Sequence, residues 1–216
     1  MLKNPDHYKS MMPWAELEKL WEAEQKEHGL ETYGKTGKYL TKFKDYFQEK
    51  LDVFKHLQLD NGVVKAVLDL GTGVGYFPWL CDQYGQLCDF SDLRPLPFYK
   101  RAHELLKLKG AFYDFGVFGQ QRFELTKRYD IITAHRTVFD IFDYHWYVDE
   151  WRFFLINCAD FLNEGGVVFI KTNLVQGAHL HSPHPAFMRF IQPYEVTGFN
   201  SICFKITKEQ ILADLV

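Results

Sequence analysis

An α/β chain built on a doubly wound, mostly parallel sheet, preceded by a helical cap, is what the sequence predicts, and three observations carry that prediction. From residue 63 onward, short apolar runs alternate with amphipathic helical segments, the pattern of βαβ units. A glycine cluster, 71–75, sits where the first apolar run gives way to a helix. The first sixty residues show only helical periodicity and need a surface to cover. With 216 residues the chain suits one domain with an appended subdomain, so we divide it into a cap, 1–60, and a main domain, 61–216.

Residues 14–28 place Trp14, Leu17, Leu20 and Trp21 on one helical face. After a break marked by Gly29, Gly34 and Gly37, a second helix shows Leu40, Phe43, Phe47, Leu51, Phe54 and Leu57 at three- and four-residue steps. Asp60-Asn61-Gly62 is a stop signal. Val63–Leu70 reads as a strand buried on both faces, and Tyr76–Tyr84 as a short helix with Pro78 in its first turn. A strand over 86–90, a helix over 96–108, and strands over 111–117 and 129–134 follow. The helix over 149–162 ends at Gly165-Gly166, and the strand over 167–172 is again wholly apolar at its start. Beyond residue 173 the pattern predicts a loop, a short helix over 186–191, a strand over 200–205 and a closing helix over 208–215. A further strand near 194–197 stays open at this level.

Composition narrows the function classes. Twenty-five basic against 28 acidic side chains give a net charge of -3, which argues against a protein that grips a long phosphate backbone. Cys81, Cys88, Cys158 and Cys203 are scattered, with no CxxC pair or disulfide spacing, so a reduced, cytoplasmic chain is expected. The start, MLKNPDHYK, lacks the apolar stretch of a signal peptide, and no segment is long and apolar enough for a membrane span. Aromatic residues make up 17% of the chain, more than a core of this size needs, and the excess is expected to line something.

The chemistry concentrates in Val67-Leu68-Asp69-Leu70-Gly71-Thr72-Gly73-Val74-Gly75. Glycines there let the backbone turn sharply and approach a ligand closely. Alone, such a loop is compatible with a dinucleotide, or with close packing and no ligand. Its spacing is GxGxG and not the GxGxxG that seats a pyrophosphate. Asp69, two residues before the first glycine, would oppose a pyrophosphate but favour a ligand carrying an ammonium and a sulfonium.

These residues resemble motif I of the class I S-adenosylmethionine-dependent methyltransferases. Three further segments resemble that family's landmarks in the same order: Leu87-Cys88-Asp89-Phe90-Ser91 its second strand, Tyr129-Asp130-Ile131-Ile132 its fourth, and Phe161-Leu162-Asn163-Glu164-Gly165-Gly166 the turn before its fifth. Glu164 stands where the family usually has proline. The resemblance spans about residues 63–172, roughly half the chain. It implies a Rossmann-like methyltransferase fold with S-adenosyl-L-methionine as cofactor. It also implies that Asp69, Gly71 and Gly73 face the methionine end, and that Gly75 permits helix–strand packing. Asp89, twenty residues after Asp69, would take the ribose hydroxyls, with Asp92 as its rival. Asp114 is the candidate at the adenine amino group, and Phe115 or Phe118 could stack on the ring.

The acceptor is expected beyond the fourth strand, at 133–140. The D/N-PP-Y/F tetrad of amino-group methyltransferases is absent there, which favours a hydroxyl acceptor on a small molecule or sugar. His135 is placed to serve as general base, since imidazole takes a proton near neutral pH; a hydrogen-bonded strand-end histidine is the plain alternative. Arg136 and Lys171 could hold an acidic group, and Tyr144 and Trp146 a ring or sugar face. His179 and His181, with His184, lie in a loop without carboxylates, which reads as substrate-facing and not as a metal site. The alternatives are methylation of RNA or protein, for which no continuous basic surface is evident, and a non-catalytic subunit with the same fold. Self-association is compatible with either.

Overall fold

The structure is a computed structural model that describes residues 2–29, 37–92, 97–114, 122–137, 146–172, 185–199 and 201–215. Two compact units divide the chain. One is helical: Met1–Val64, Gly73–Leu87 and Arg94–Gly110. The other holds the sheet: Lys65–Thr72, Cys88–Leu93 and Ala111–Val216.

In the helical unit, α1 (Pro5–Met11) is a helix the periodicity did not announce. Asn4 caps it, accepting from the His7 backbone N–H at 3.0 Å, and Pro5 occupies the first turn, where its missing N–H costs nothing. Then come α2 (Trp14–His28), α3 (Lys38–Thr41) and α4 (Phe43–His56). The single helix expected through 40–57 is thus two, broken at Lys42, whose φ of -114° and ψ of 35° leave the helical region. Helices α5 (Tyr76–Gln83) and α6 (Pro97–Leu106) complete the unit, with α1 packing on α4, α4 on α5 and α2 on α6. Much of the aromatic excess is spent here. Phe43 stacks on Phe47 at 5.0 Å and meets Tyr76 edge-on at 5.3 Å, with Phe47 and Phe54 fully buried.

Among the described residues the sheet has seven strands in the order β3-β2-β1-β4-β5-β7-β6. They are β1 (Ala66–Leu70), β2 (Leu87–Ser91), β3 (Phe112–Tyr113), β4 (Tyr129–His135), β5 (Leu162–Lys171), β6 (Glu195–Val196) and β7 (Cys203–Thr207). The β2/β3, β1/β4 and β4/β5 pairs are parallel, whereas β7 runs antiparallel to β5 and β6 antiparallel to β7. The expected mostly parallel, doubly wound sheet is present, and the strand left open near 194–197 is the two-residue β6. Val63 and Val64 stay exposed outside β1, which starts at Ala66, where Asp130 Oδ2 accepts the backbone N–H at 2.8 Å. Gly165-Gly166 does not precede the fifth strand but lies inside it. The ladder pairs Tyr129 with Leu162 and next Ile131 with Val167, so the glycines form a bulge, with Gly165 at a φ of +71°.

Helices α7 (Val148–Asp160), α8 (Pro185–Ile191) and α9 (Lys208–Leu215) belong to the sheet unit. Both α7 and α9 pack on β5 and on each other, over a core that includes Phe154, Leu155, Ile170 and Phe204. All four cysteines are free thiols and buried. Among the described residues, no helix is long and apolar enough to cross a membrane.

Candidate functional site

The strand order fixes where a ligand can approach the sheet unit. The chain lays β1, β2 and β3 outward in one direction, then returns to place β4 and β5 on the other side of β1. Open α/β sheets bind ligands beyond the carboxyl ends of the strands at such a reversal, here between β1 and β4.

The residues at that place are polar and buried. Asp69, near the end of β1, is 1% exposed, and its Oδ2 accepts a hydrogen bond from Thr72 Oγ1. The parallel register sets Asp69 opposite Thr133, and the two-residue period returns His135 to the same face. His135 Nε2 lies 2.7 Å from Thr133 Oγ1 and 3.9 Å from Asp69 Oδ1. Lys171, in register with His135 and also 1% exposed, lays its ammonium 5.3 Å from the centre of the Phe199 ring. Asp69, His135 and Lys171, predicted one by one, are thus brought to one edge of the sheet.

Backbone and hydroxyl contacts tie the strand ends together. Thr137 Oγ1 donates to Leu70 O at 2.7 Å, the Thr72 N–H to Ser91 O at 2.9 Å and the Arg136 N–H to Lys171 O at 2.7 Å. Arg136 itself has a φ of +56°, a left-handed conformation that non-glycine residues seldom adopt. Gly71 has a φ of +71°, and a Cβ there would run into the Thr137 side chain, so both conformation and space demand glycine.

The rest of the glycine turn belongs to the helical unit. Gly75, at a φ of +97°, is pressed by Leu108 and His103, whose atoms would sit 2.9 and 3.0 Å from an added Cβ. The glycine expected to permit helix–strand packing thus packs against the helix α6 and the residue Leu108 beyond it. Among the described residues, a Cβ on Gly73 would meet only Tyr99, at 4.0 Å. His103 Nε2 lies 2.7 Å from Gly73 O, and burial pulls the imidazole pKa down from its ordinary value.

Asp89, expected at the ribose, lies inside β2 and is 3% exposed. Its Oδ1 accepts the Ala111 N–H at 2.9 Å, while its Oδ2 accepts from the Tyr129 hydroxyl at 2.8 Å and from Lys127 at 2.7 Å. Burial, and then the bond to Asp89, push the Tyr129 hydroxyl pKa well up. Asp92 is the first residue beyond the strand, and its signal in the sequence was that position at the carboxyl end. Asp114 is exposed and immediately follows β3.

Trp146 departs from its expected role on a substrate face. It is 5% exposed and packs in the core against Trp151 at 4.8 Å and Phe154 at 5.6 Å, because α7 carries both rings onto the sheet. Tyr144, His179, His181, His184, Phe115 and Phe118 lie outside the described residues.

No protein-family model and no curated protein matches the chain. Solved structures do. Magnesium protoporphyrin IX methyltransferase from Synechocystis PCC 6803, with bound S-adenosylmethionine, is similar at 16% identity and a TM-score of 0.51, over 75% of this chain and 79% of that one. An O-methyltransferase family protein from Burkholderia thailandensis is similar at 13% identity and a TM-score of 0.50, over 73% of this chain and 55% of that one. DesVI from Streptomyces venezuelae has 19% identity and a TM-score of 0.49, over 64% and 55% of the two chains. The chain therefore spans about half the length of the last two. The fold is that of the class I, S-adenosylmethionine-dependent methyltransferases.

Proposed function

We propose that the protein is an S-adenosylmethionine-dependent methyltransferase acting on a hydroxyl of a small molecule or sugar. The observation that carries this reading is Asp69, a buried carboxylate at the β1–β4 reversal, directly ahead of the glycine turn. A buried acid at a switch point suits a cationic ligand and opposes a pyrophosphate. Two solved structures with TM-scores of at least 0.50 support it, since one holds S-adenosylmethionine and the other is an O-methyltransferase family protein.

When bound, the cofactor supplies a methyl group already activated on a sulfonium, so the chain's task is positioning and proton removal. Asp69, held by Thr72, would take the ammonium end, and the Gly71 and Gly73 backbone would hold the methionine moiety. For the ribose hydroxyls we favour Asp92 over Asp89, whose two oxygens already serve Ala111, Tyr129 and Lys127. Asp114, just past β3, is proposed at the adenine amino group. His135 donates Nε2–H to Thr133 in the tautomer we propose, which leaves the Nδ1 lone pair as the base for the acceptor hydroxyl. Arg136 and Lys171, at the ends of β4 and β5, suit an acceptor with an acidic group.

Isothermal titration with S-adenosylhomocysteine tests the cofactor assignment. Binding by the wild-type protein, and its loss in Asp69→Asn, is the expected result. Absence of heat from folded wild-type protein would overturn the assignment.

A further inference from the structure

His103, a side chain that the cofactor reading does not use, holds the glycine turn from outside. His103 sits on α6, with Tyr99 one helical turn before it, so both project from the same face. Among the described residues, Tyr99 is the side chain nearest to where a Gly73 Cβ would be, at 4.0 Å. His103 touches the turn twice. Its Nε2 lies 2.7 Å from Gly73 O, and its Cδ2 lies 3.0 Å from where a Gly75 Cβ would be. A carbonyl oxygen cannot donate, so Nε2 carries the proton and the bond runs from imidazole to backbone.

That bond sets more than one atom. The peptide unit joining Gly73 to Val74 is planar and trans, so its N–H points opposite to its C=O. Fixing the Gly73 carbonyl toward α6 therefore fixes the Val74 N–H in the opposite direction. Gly73 has a φ of +58° and no Cβ, and a glycine loses much conformational freedom on being ordered. Without the His103 bond, this peptide unit would have more freedom to rotate. Burial of His103 at 9% exposure shields the bond from competing water.

We infer that His103 is a positioning residue for cofactor binding: it orients the Gly73–Val74 peptide unit so that the turn meets its ligand already ordered. The inference rests on the proposal that the turn binds S-adenosylmethionine. Preorganisation of this kind lowers the ordering cost on binding and so raises affinity without adding a contact.

The test compares the wild-type protein with His103→Leu, His103→Gln and His103→Asn. Two quantities are read well below the melting temperature: the affinity for S-adenosylhomocysteine by titration calorimetry, and amide hydrogen exchange of the peptide covering residues 70–77 in ligand-free protein. The leucine variant fills the space without a donor, and the asparagine variant, too short to reach, serves if leucine does not fold. Either should weaken binding about tenfold and speed exchange in the turn, in keeping with one lost hydrogen bond. Glutamine places an amide donor near the same carbonyl and should recover most of both effects. Wild-type affinity and exchange in folded His103→Leu or His103→Asn would overturn the inference, as would an equal loss in His103→Gln. A wild-type protein that binds no S-adenosylhomocysteine would overturn the cofactor reading instead, while the exchange comparison still decides whether His103 holds the turn.

Discussion

Asp89 Oδ2 accepts the Tyr129 hydroxyl at 2.8 Å, which joins the middle of β2 to the first residue of β4 from opposite sides of β1. With the Ala111 N–H on its other oxygen, this carboxylate also fixes the approach to β3. Removing it takes one of two partners from the Tyr129 hydroxyl, which also bonds Tyr113, and takes the acceptor from the Ala111 N–H, so Asp89→Ala should cost about 2–3 kcal/mol in urea unfolding. Asp92→Ala should cost less in unfolding than Asp89→Ala and weaken S-adenosylhomocysteine at least about tenfold, as loss of a charged hydrogen-bond acceptor does. The reverse pattern, with Asp89→Ala stable but unable to bind, would return the ribose to Asp89.

Gly71→Ala should destabilise the sheet unit by about 2 kcal/mol or more. A φ of +71° strains any residue with a Cβ, and the Thr137 side chain occupies the space the new methyl needs. Thr137→Ser removes the methyl but keeps Oγ1, the atom nearest the new Cβ, on Leu70 O, and should therefore recover only a fraction of the steric part. Chemical unfolding of the single and double variants measures both parts.

Acid should weaken the helical unit through His103. Burial lowers the folded-state pKa below the ordinary value of about 6.5, so the unfolded chain takes up the proton first. Stability therefore rises with pH between the folded pKa and about 6.5, and is lost as pH falls through that window. The stability gap between wild type and His103→Gln should shrink from pH 7.5 to pH 5.5. A gap that stays constant across that range would show that His103 does not titrate on unfolding.

Trp146→Ala should cost about 3–5 kcal/mol, the usual result of emptying a large aromatic site in a core. A ring that lined an acceptor cleft would instead leave unfolding nearly unchanged and alter acceptor binding alone. Thermal and urea unfolding distinguish the two.

The sequence made legible what depends on local pattern. β1, α5, α7 and α9 announced themselves by apolar runs, helical spacing and flanking glycines, with no end more than three residues away. The helix α1 went unseen because about two turns show too little period, although Asn4-Pro5 carried its cap. β6 has two residues, too few to alternate. The bulge in β5 was read as a turn because a glycine pair ends helices as readily as it bends strands.

At the site, Asp69, His135 and Lys171 were found individually because each closes an apolar strand. What Asp89 does was hidden, since its partners Ala111, Lys127 and Tyr129 are 22 to 40 residues away and only folding unites them. Trp146 misled for a related reason: an aromatic run after β4 looks the same whether it turns toward a cleft or folds back into the core.

The four buried thiols give the native protein a built-in clock. A thiol reagent in water reaches Cys81, Cys88, Cys158 or Cys203 only when the surrounding structure opens, and burial holds the Cys158 pKa up, which further slows its reaction. Cys81 lies in the helical unit and the other three in the sheet unit. Mass-resolved labelling of the unmodified chain would therefore time the openings of each unit separately, with no reporter introduced. Adding S-adenosylhomocysteine to the same reaction would reveal which of the two clocks it slows.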